Sequence, residues 1–268
     1  MKAVVLARGR GTRMQRHDRS VALDLEQAAM ADAGLKSMIP FRRPFLDYVL
    51  SALADAGCLD VCLVVGPDDE VMRRYYTQER PPERVRVRFA VQERPLGTAN
   101  AVLAARPFAG VDPFLVLNSD NYYPAGVFEA LAALDGPGLP AFRRLALIRQ
   151  SNIDPVRVRA FAILRIAQDG RLLDIIEKPD EATAASFGDN FAVSMNCWRF
   201  DASIFSACRD VAPSERGEVE LPNAVRHAVR VMGLRFQTVP IDAGVLDLSR
   251  RGDIPEVGRR LAGIDPRP

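Results

Sequence analysis

Residues 6 to 14 read LARGRGTRM, a short apolar strand that runs straight into Gly9, Gly11, Thr12 and Arg13. Glycines at a strand end let backbone N–H groups approach an anion closely, and a neighbouring arginine adds a fixed cation, so this stretch could hold phosphate. Two phosphate motifs are argued against. A dinucleotide fingerprint needs a third glycine where Met14 stands, and a Walker loop needs Gly-Lys followed by Ser or Thr. A loop for a nucleoside triphosphate, gripped by Arg13, and a plain tight turn both remain open. Other chemistry is scarce. His17 and His227 are the only histidines, which leaves little for histidine catalysis or metal binding. Cys58, Cys62, Cys197 and Cys208 lack C-x-x-C spacing, so reduced thiols are expected rather than a zinc site or a disulfide framework.

The elements that must carry such a loop follow from the pattern of the chain. At 268 residues, 48% hydrophobic and 26% charged, it is long enough for a substantial core, and its net charge of +2 gives no reason to expect nucleic acid. No stretch approaches the length of a membrane span, so no membrane partner and a cytoplasmic location are expected. Residues 2–7 read as a buried strand, PFLDYVLSALADAG as a helix and DVCLVVG as the next strand. A helix from PDDEVMRRYY, a strand VRVRFAV, a helix GTANAVLAAR and a strand PFLVLNSDN follow. This alternation predicts parallel strands with right-handed crossovers. After about residue 135, GPGLP reads as a break, LALIR as a strand, and AFAILRIAQDGRLLDIIEKP as a hairpin turning at Asp169-Gly170. The expected fold class is α/β, a Rossmann-like doubly wound mixed sheet in one domain of two lobes. The lobes span about 1–135 and 136–262, with a loose tail at 263–268. Residues 15–34 read as an insertion whose helix is capped by Asp24, with Gln27 completing a capping-box pattern and Gly34 closing the end.

The stretches LARGRGTRM, LKSMIPF, QERPLGTANAV, LNSDN, IIEKP, RGEVELPNAV and GVLDLSRRGDI occur in an order that resembles the sugar-1-phosphate nucleotidylyltransferases. The resemblance spans residues 1 to about 262 and is nearest to short bacterial members similar to glucose-1-phosphate thymidylyltransferase. It implies a nucleotide-diphospho-sugar transferase fold. It also implies that the loop of Leu6, Ala7, Gly9, Gly11, Thr12 and Arg13 holds a triphosphate, while Gln92 and Gly97 meet the base edge and Thr98 is among the nucleotide-binding residues. A glutamine offers donor and acceptor together, which suits a pyrimidine imide and favours UTP or dTTP. Asp120 and Asp247 resemble the two ligands of Mg2+, an ion that takes few carboxylates alongside phosphate oxygens. Asp242, five residues before Asp247, competes for the second place. Asn121, Glu177, Lys178, Asn196 and Arg216 are placed against the sugar and its phosphate.

The implied reaction joins a nucleoside triphosphate to a sugar 1-phosphate and releases pyrophosphate. The catalytic set is Arg13, Lys36, Asp120 and Asp247. A monoester phosphate is already anionic near neutral pH, so no general base is needed. Three departures from the family pattern stand out. Arg8 replaces a glycine, which is tolerable only where its φ is negative. The interval from Arg13 to Lys36 is long, so Lys36 reaches the site only if the inserted helix folds back. Ser194-Met195-Asn196 stands where thymidylyltransferases carry Thr-Gly-Leu. A catalytically silent, nucleotide-sugar-binding regulatory relative is the alternative; a glycosyltransferase would need a D-x-D motif and leaves GTRM unexplained. Homo-oligomerisation stays open.

Overall fold

The computed structural model describes residues 1–268 apart from Arg10, Arg19, Ala160, Asp189, Glu215 and Arg216. Its strands are β1 (Lys2–Leu6), β2 (Asp60–Val65), β3 (Arg86–Val91), β4 (Phe114–Asn118), β5 (Asn121–Tyr122) and β6 (Gly138–Arg143). They continue with β7 (Ile163–Ile166), β8 (Leu172–Ile176), β9 (Ala192–Val193), β10 (Cys197–Phe200), β11 (Gln237–Ile241) and β12 (Leu246–Asp247). The helices are α1 (Leu25–Asp32), α2 (Phe45–Asp55), α3 (Glu70–Arg74), α4 (Thr98–Ala104), α5 (Arg106–Ala109) and α6 (Ala125–Ala132). After these come α7 (Arg144–Gln150), α8 (Pro155–Val158), α9 (Glu181–Ser186), α10 (Ile204–Asp210), α11 (Leu221–Arg230) and α12 (Ile254–Leu261).

The main sheet runs in the order β3-β2-β1-β4-β10-β6-β9-β7-β8, with β11 pairing β6. Its first four strands are parallel, and β10 then enters antiparallel against β4. Alternate residues of β1 go to opposite faces, as the two-residue strand period requires. Ala3 and Val5 join one core with α2 and α6, while Val4 and Leu6 join the other with α4, α10 and α11. Both faces being covered explains why β1, β2 and β4 read as unbroken apolar runs. A separate two-stranded ribbon pairs β12 with β5, Asp247 opposite Asn121.

Two expectations need correction. LALIR is not a strand: it lies inside α7, and the strand comes one step earlier, as β6, within the stretch read as a break. A five-residue apolar run cannot be assigned by periodicity alone, and Pro140 hid the real strand because proline is rare inside sheets. The tail is not loose either. The Pro268 carbonyl accepts from the N–H groups of Glu83 and Arg84 at 2.9 and 3.0 Å, and the Arg267 N–H donates to Ser51 Oγ at 3.0 Å. Backbone donors and acceptors with partners of this kind tie a chain end down.

The insertion folds as expected at its start. Asp24 Oδ1 accepts from the Gln27 N–H at 2.8 Å, but Gln27 Nε2 donates to the Pro40 carbonyl at 3.0 Å, so the reciprocal half of the capping box is replaced by a tertiary contact. The chain leaves α1 through Gly34 and enters a single 3-10 turn, Lys36–Met38, beneath the sheet's carboxyl edge.

Candidate active site

A cleft of about 720 Å³ opens beyond the carboxyl ends of β1, β3 and β4, where open α/β sheets bind ligands. One wall is the loop after β1. Leu6, Ala7, Gly9, Gly11, Thr12 and Arg13 all line it, and Met14, fully buried, anchors it to the core. Gly11 has φ +58°, and a Cβ there would lie 2.2 Å from the Gly34 carbonyl oxygen. This contact locks the loop to the end of the insertion, and no residue with a side chain fits it.

The consequence appears two residues after Gly34. Lys36 enters the cleft and its Nζ forms an ion pair with Asp120 Oδ2, across 84 residues of chain. Burial alone would lower the pKa of Lys36, but the adjoining Asp120 carboxylate, with help from Asp247, holds it above the ordinary lysine value. The ammonium is therefore charged throughout the physiological range. Asp120 follows β4 directly and faces the same cleft.

Asp247, on the β5–β12 ribbon, is buried and does not line the cleft. Its Oδ1 accepts from Asn121 Nδ2 at 3.1 Å and from Ser249 Oγ at 2.9 Å, and its Oδ2 accepts from Arg157 Nη2. Burial, then repulsion from Asp120, pushes its pKa up to about 6, against the pull of Arg157. Two carboxylates that feel each other's charge at a buried sheet edge are hard oxygen donors suited to Mg2+, and they fit that ion better than any softer metal. Asp242, the competitor, is exposed and faces Arg143 at 4.0 Å. Asn121 meets Asp247 instead of lining the cleft.

The far wall carries Glu177, Lys178 and Asn196. Lys178 and Asn196 have φ of +44° and +57°, the only positive values among the described non-glycine residues. Left-handed backbone at a lysine costs on the order of 1 kcal/mol and persists where the surroundings impose it, a pattern concentrated at functional sites. Glu218 and Glu220, which sequence reading passed over although they lie within RGEVELPNAV, line the same wall. Arg216 lies outside the described residues.

Gln92, Gly97 and Thr98 form the remaining end. Gln92 is buried, and its Nε2 donates to the Gly97 carbonyl and to Asn100 Oδ1, both at 2.9 Å. Both amide hydrogens are thereby committed within the protein, so the side chain offers a ligand an acceptor only, which corrects the donor-plus-acceptor expectation. Gly97 has φ +102° and ψ 176°, a region open essentially to glycine, and a Cβ there would lie 2.5 Å from the Val219 carbonyl oxygen. Thr98 Oγ1 accepts from the Leu221 N–H at 2.8 Å, which joins α4 to α11.

Arg8 is absent from the positive-φ residues. Its side chain crosses over Gly66, and its Nη2 donates to the Glu93 carbonyl at 3.2 Å along the cleft wall. The replacement of glycine is thus compatible with the loop.

Residues 2–244 match the family described as nucleotidyl transferase. The chain is similar to a glucose-1-phosphate thymidylyltransferase of Streptomyces antibioticus, 31% identical over 271 residues, covering all of this chain and 68% of that protein. It is similar also to the UTP–glucose-1-phosphate uridylyltransferase AglF of Haloferax volcanii, 26% identical over 261 residues, with 97% of this chain and 96% of that protein covered. In fold it matches a crystal structure of UDP-glucose pyrophosphorylase complexed with UDP-glucose, TM-score 0.74 at 18% identity, over 97% of this chain and 98% of that one.

Proposed function

This chain belongs to the nucleotidyl transferase family, and we propose that its cleft joins a nucleoside triphosphate to a sugar 1-phosphate, giving an NDP-sugar and pyrophosphate. One observation carries the assignment of roles. The glycine loop, Lys36 and Asp120, far apart in sequence, line one cleft together with Lys178, and Lys36 pairs with Asp120 just past β4. That is the placement needed to bring two polyanions together.

A phosphate oxygen of the sugar 1-phosphate attacks the α-phosphorus, and pyrophosphate departs. The attacking phosphate has a second pKa of about 6 and is already anionic, so positioning and cationic charge supply the catalysis. The loop from Leu6 to Arg13 cradles the triphosphate, and Arg13 steadies the leaving pyrophosphate. Lys36, reaching in from the insertion, contacts the transferring phosphoryl group. Lys178 holds the sugar phosphate, with Glu177 and Asn196 at the sugar hydroxyls. Asp120 and Asp247 are the residues that would hold Mg2+, which when bound would draw charge off the α-phosphate oxygens. Asn121 serves the sugar end indirectly, by holding Asp247.

The nucleotide is UTP or dTTP. Gln92 Oε1 accepts from the N3–H of uracil or thymine, whereas cytosine and adenine present an acceptor at that edge and leave the buried carbonyl unpaired; guanine, whose N1–H also donates, is separated from them by the substrate matrix rather than by this contact. Discrimination of this kind reaches several orders of magnitude. The test is a matrix of nucleoside triphosphates against sugar 1-phosphates scored for pyrophosphate release. Release confined to pairs with UTP or dTTP supports the reading; release with ATP or CTP at comparable rates removes Gln92 from base selection. No release with any pair would favour a silent binding role.

A further inference from the structure

Both carboxylates proposed to hold the metal already carry a cation of the protein's own. Asp120 is paired with Lys36, and Asp247 with Arg157 of α8. The two counter-ions are held very differently. Arg157 is 15% exposed and is braced on its other side by Asp253, whose Oδ1 accepts from Nη1 at 2.7 Å. Asp253 is itself fixed, its Oδ2 accepting from the N–H groups of Ser249 at 2.9 Å and Arg250 at 2.7 Å. Asp154 caps α8 by accepting from the Val156 N–H at 2.7 Å, which fixes the backbone that carries Arg157. Lys36 is a single ammonium on a flexible stem, and it pairs with Asp120 in the cleft. A guanidinium forked between two buried carboxylates stays in place, while a lysine can follow an incoming phosphate.

We propose that Lys36 and Arg157 are resident counter-ions that neutralise Asp120 and Asp247 in the ligand-free cleft, so that a divalent cation is retained only when it arrives with the triphosphate. Asp120, Asp247 and Asp253 carry three negative charges against the two positive charges of Lys36 and Arg157. A bare divalent ion thus meets a cluster of low net charge in which Asp120 Oδ2 and both oxygens of Asp247 are already engaged. A triphosphate changes both terms: it draws Lys36 off Asp120 and brings several negative charges of its own. Arg157 remains on Asp247 Oδ2 and acts as a positioning residue, holding that carboxylate in place and weakening metal capture until the nucleotide is present. Sequence reading had no means of finding Arg157, because 90 residues separate it from Asp247.

The inference rests on the reading of Asp120 and Asp247 as metal ligands, and the experiment separates the two. Mn2+ is titrated into the full-length protein and free ion is followed by electron paramagnetic resonance, with and without α,β-methylene-UTP. The wild type should bind Mn2+ at least about tenfold more weakly without the analogue than with it, after correction for Mn2+ bound by the analogue alone. Arg157→Gln should tighten ligand-free Mn2+ binding by about tenfold, the size expected for removing one nearby, partly screened charge. Lys36→Gln, on the cleft wall and away from α8, should do the same without disturbing the packing of Arg157. Tight binding to the ligand-free wild type, or unchanged affinity in both variants, would overturn the counter-ion proposal and leave the metal assignment intact. Absence of protein-bound Mn2+ even with the analogue would overturn the metal assignment itself.

Discussion

Gly11→Ala tests whether the insertion delivers Lys36. The added methyl would sit 2.2 Å from the Gly34 carbonyl oxygen, where ordinary contact begins at 3.4 Å, and the φ of +58° is itself unfavourable for alanine. The left-handed backbone costs about 1–2 kcal/mol. The overlap is relieved only if the loop and the end of the insertion part by roughly 1 Å. For a chain of this size the strain should lower Tm by about 3–8 °C while leaving a cooperative transition. The larger effect is on rate. Lys36 lies two residues beyond Gly34, and a displacement of about 1 Å at a positioning contact can cost on the order of 10² in turnover. Steady-state pyrophosphate release should therefore fall by about that factor. The same substitution made on a Lys36→Ala background should cost much less, because the two changes act on one interaction. Turnover of Gly11→Ala within about threefold of wild type, or an equal loss in both backgrounds, would refute the coupling of loop, insertion and lysine.

Gly97→Ala should be at least as damaging, because its Cβ would overlap Val219 backbone atoms at 2.5–2.9 Å. Its destabilisation, expected at roughly 2–3 kcal/mol by urea unfolding, should come with loss of UTP binding by calorimetry. Asp120→Asn should lower turnover by 10² or more with an unchanged Tm, a loss of about 3 kcal/mol in transition-state binding. Near-normal turnover would remove Asp120 from the mechanism. The four buried cysteines give a pH-linked prediction. Burial pushes the Cys62 and Cys208 thiols up to about 12 and raises Cys58 and Cys197 as well, so the thiolate is scarce at pH 8. Iodoacetamide at pH 8 should label none of the four until denaturant is added, as mass spectrometry would read. Arg8→Gly should leave turnover within a few fold, since Arg8 reaches along the wall to Glu93 without left-handed backbone. A large gain would mean that the arginine impairs the loop.

The parts of the fold legible in the sequence were those fixed by local rules. β1, β2 and β4 are buried on both faces and read as apolar runs, β3 shows the alternation of a half-exposed strand, and Asp24 announced its helix through a cap that the structure repeats. What escaped was decided by partners distant in sequence. LALIR became α7 because burial of Ala146 and Leu147 is set by the layer it packs on, which a five-residue pattern does not reveal. Gln27 gave up its local bond for the Pro40 carbonyl, and residues 263–268 were tied down by Ser51 and residues 83–84. In the site, motifs pointed to Lys36, Asp120 and Asp247. The contacts that give them their chemistry, Gly11 on Gly34, Lys36 on Asp120 and Arg157 on Asp247, are tertiary and carry no local signature. The same holds for Gln92, whose residue type suggested two hydrogen bonds to a base until its neighbours were seen to take both amide hydrogens.

The most direct test of direct displacement between two bound phosphates is exchange of radiolabelled pyrophosphate into UTP, with and without the sugar 1-phosphate identified by the substrate matrix. Label should enter UTP only when the sugar 1-phosphate is present, because a single reversible transfer needs both partners in the cleft. Exchange in its absence would mean that the nucleotide is first passed to the protein, and the account of an attacking phosphate positioned by fixed cations would be wrong.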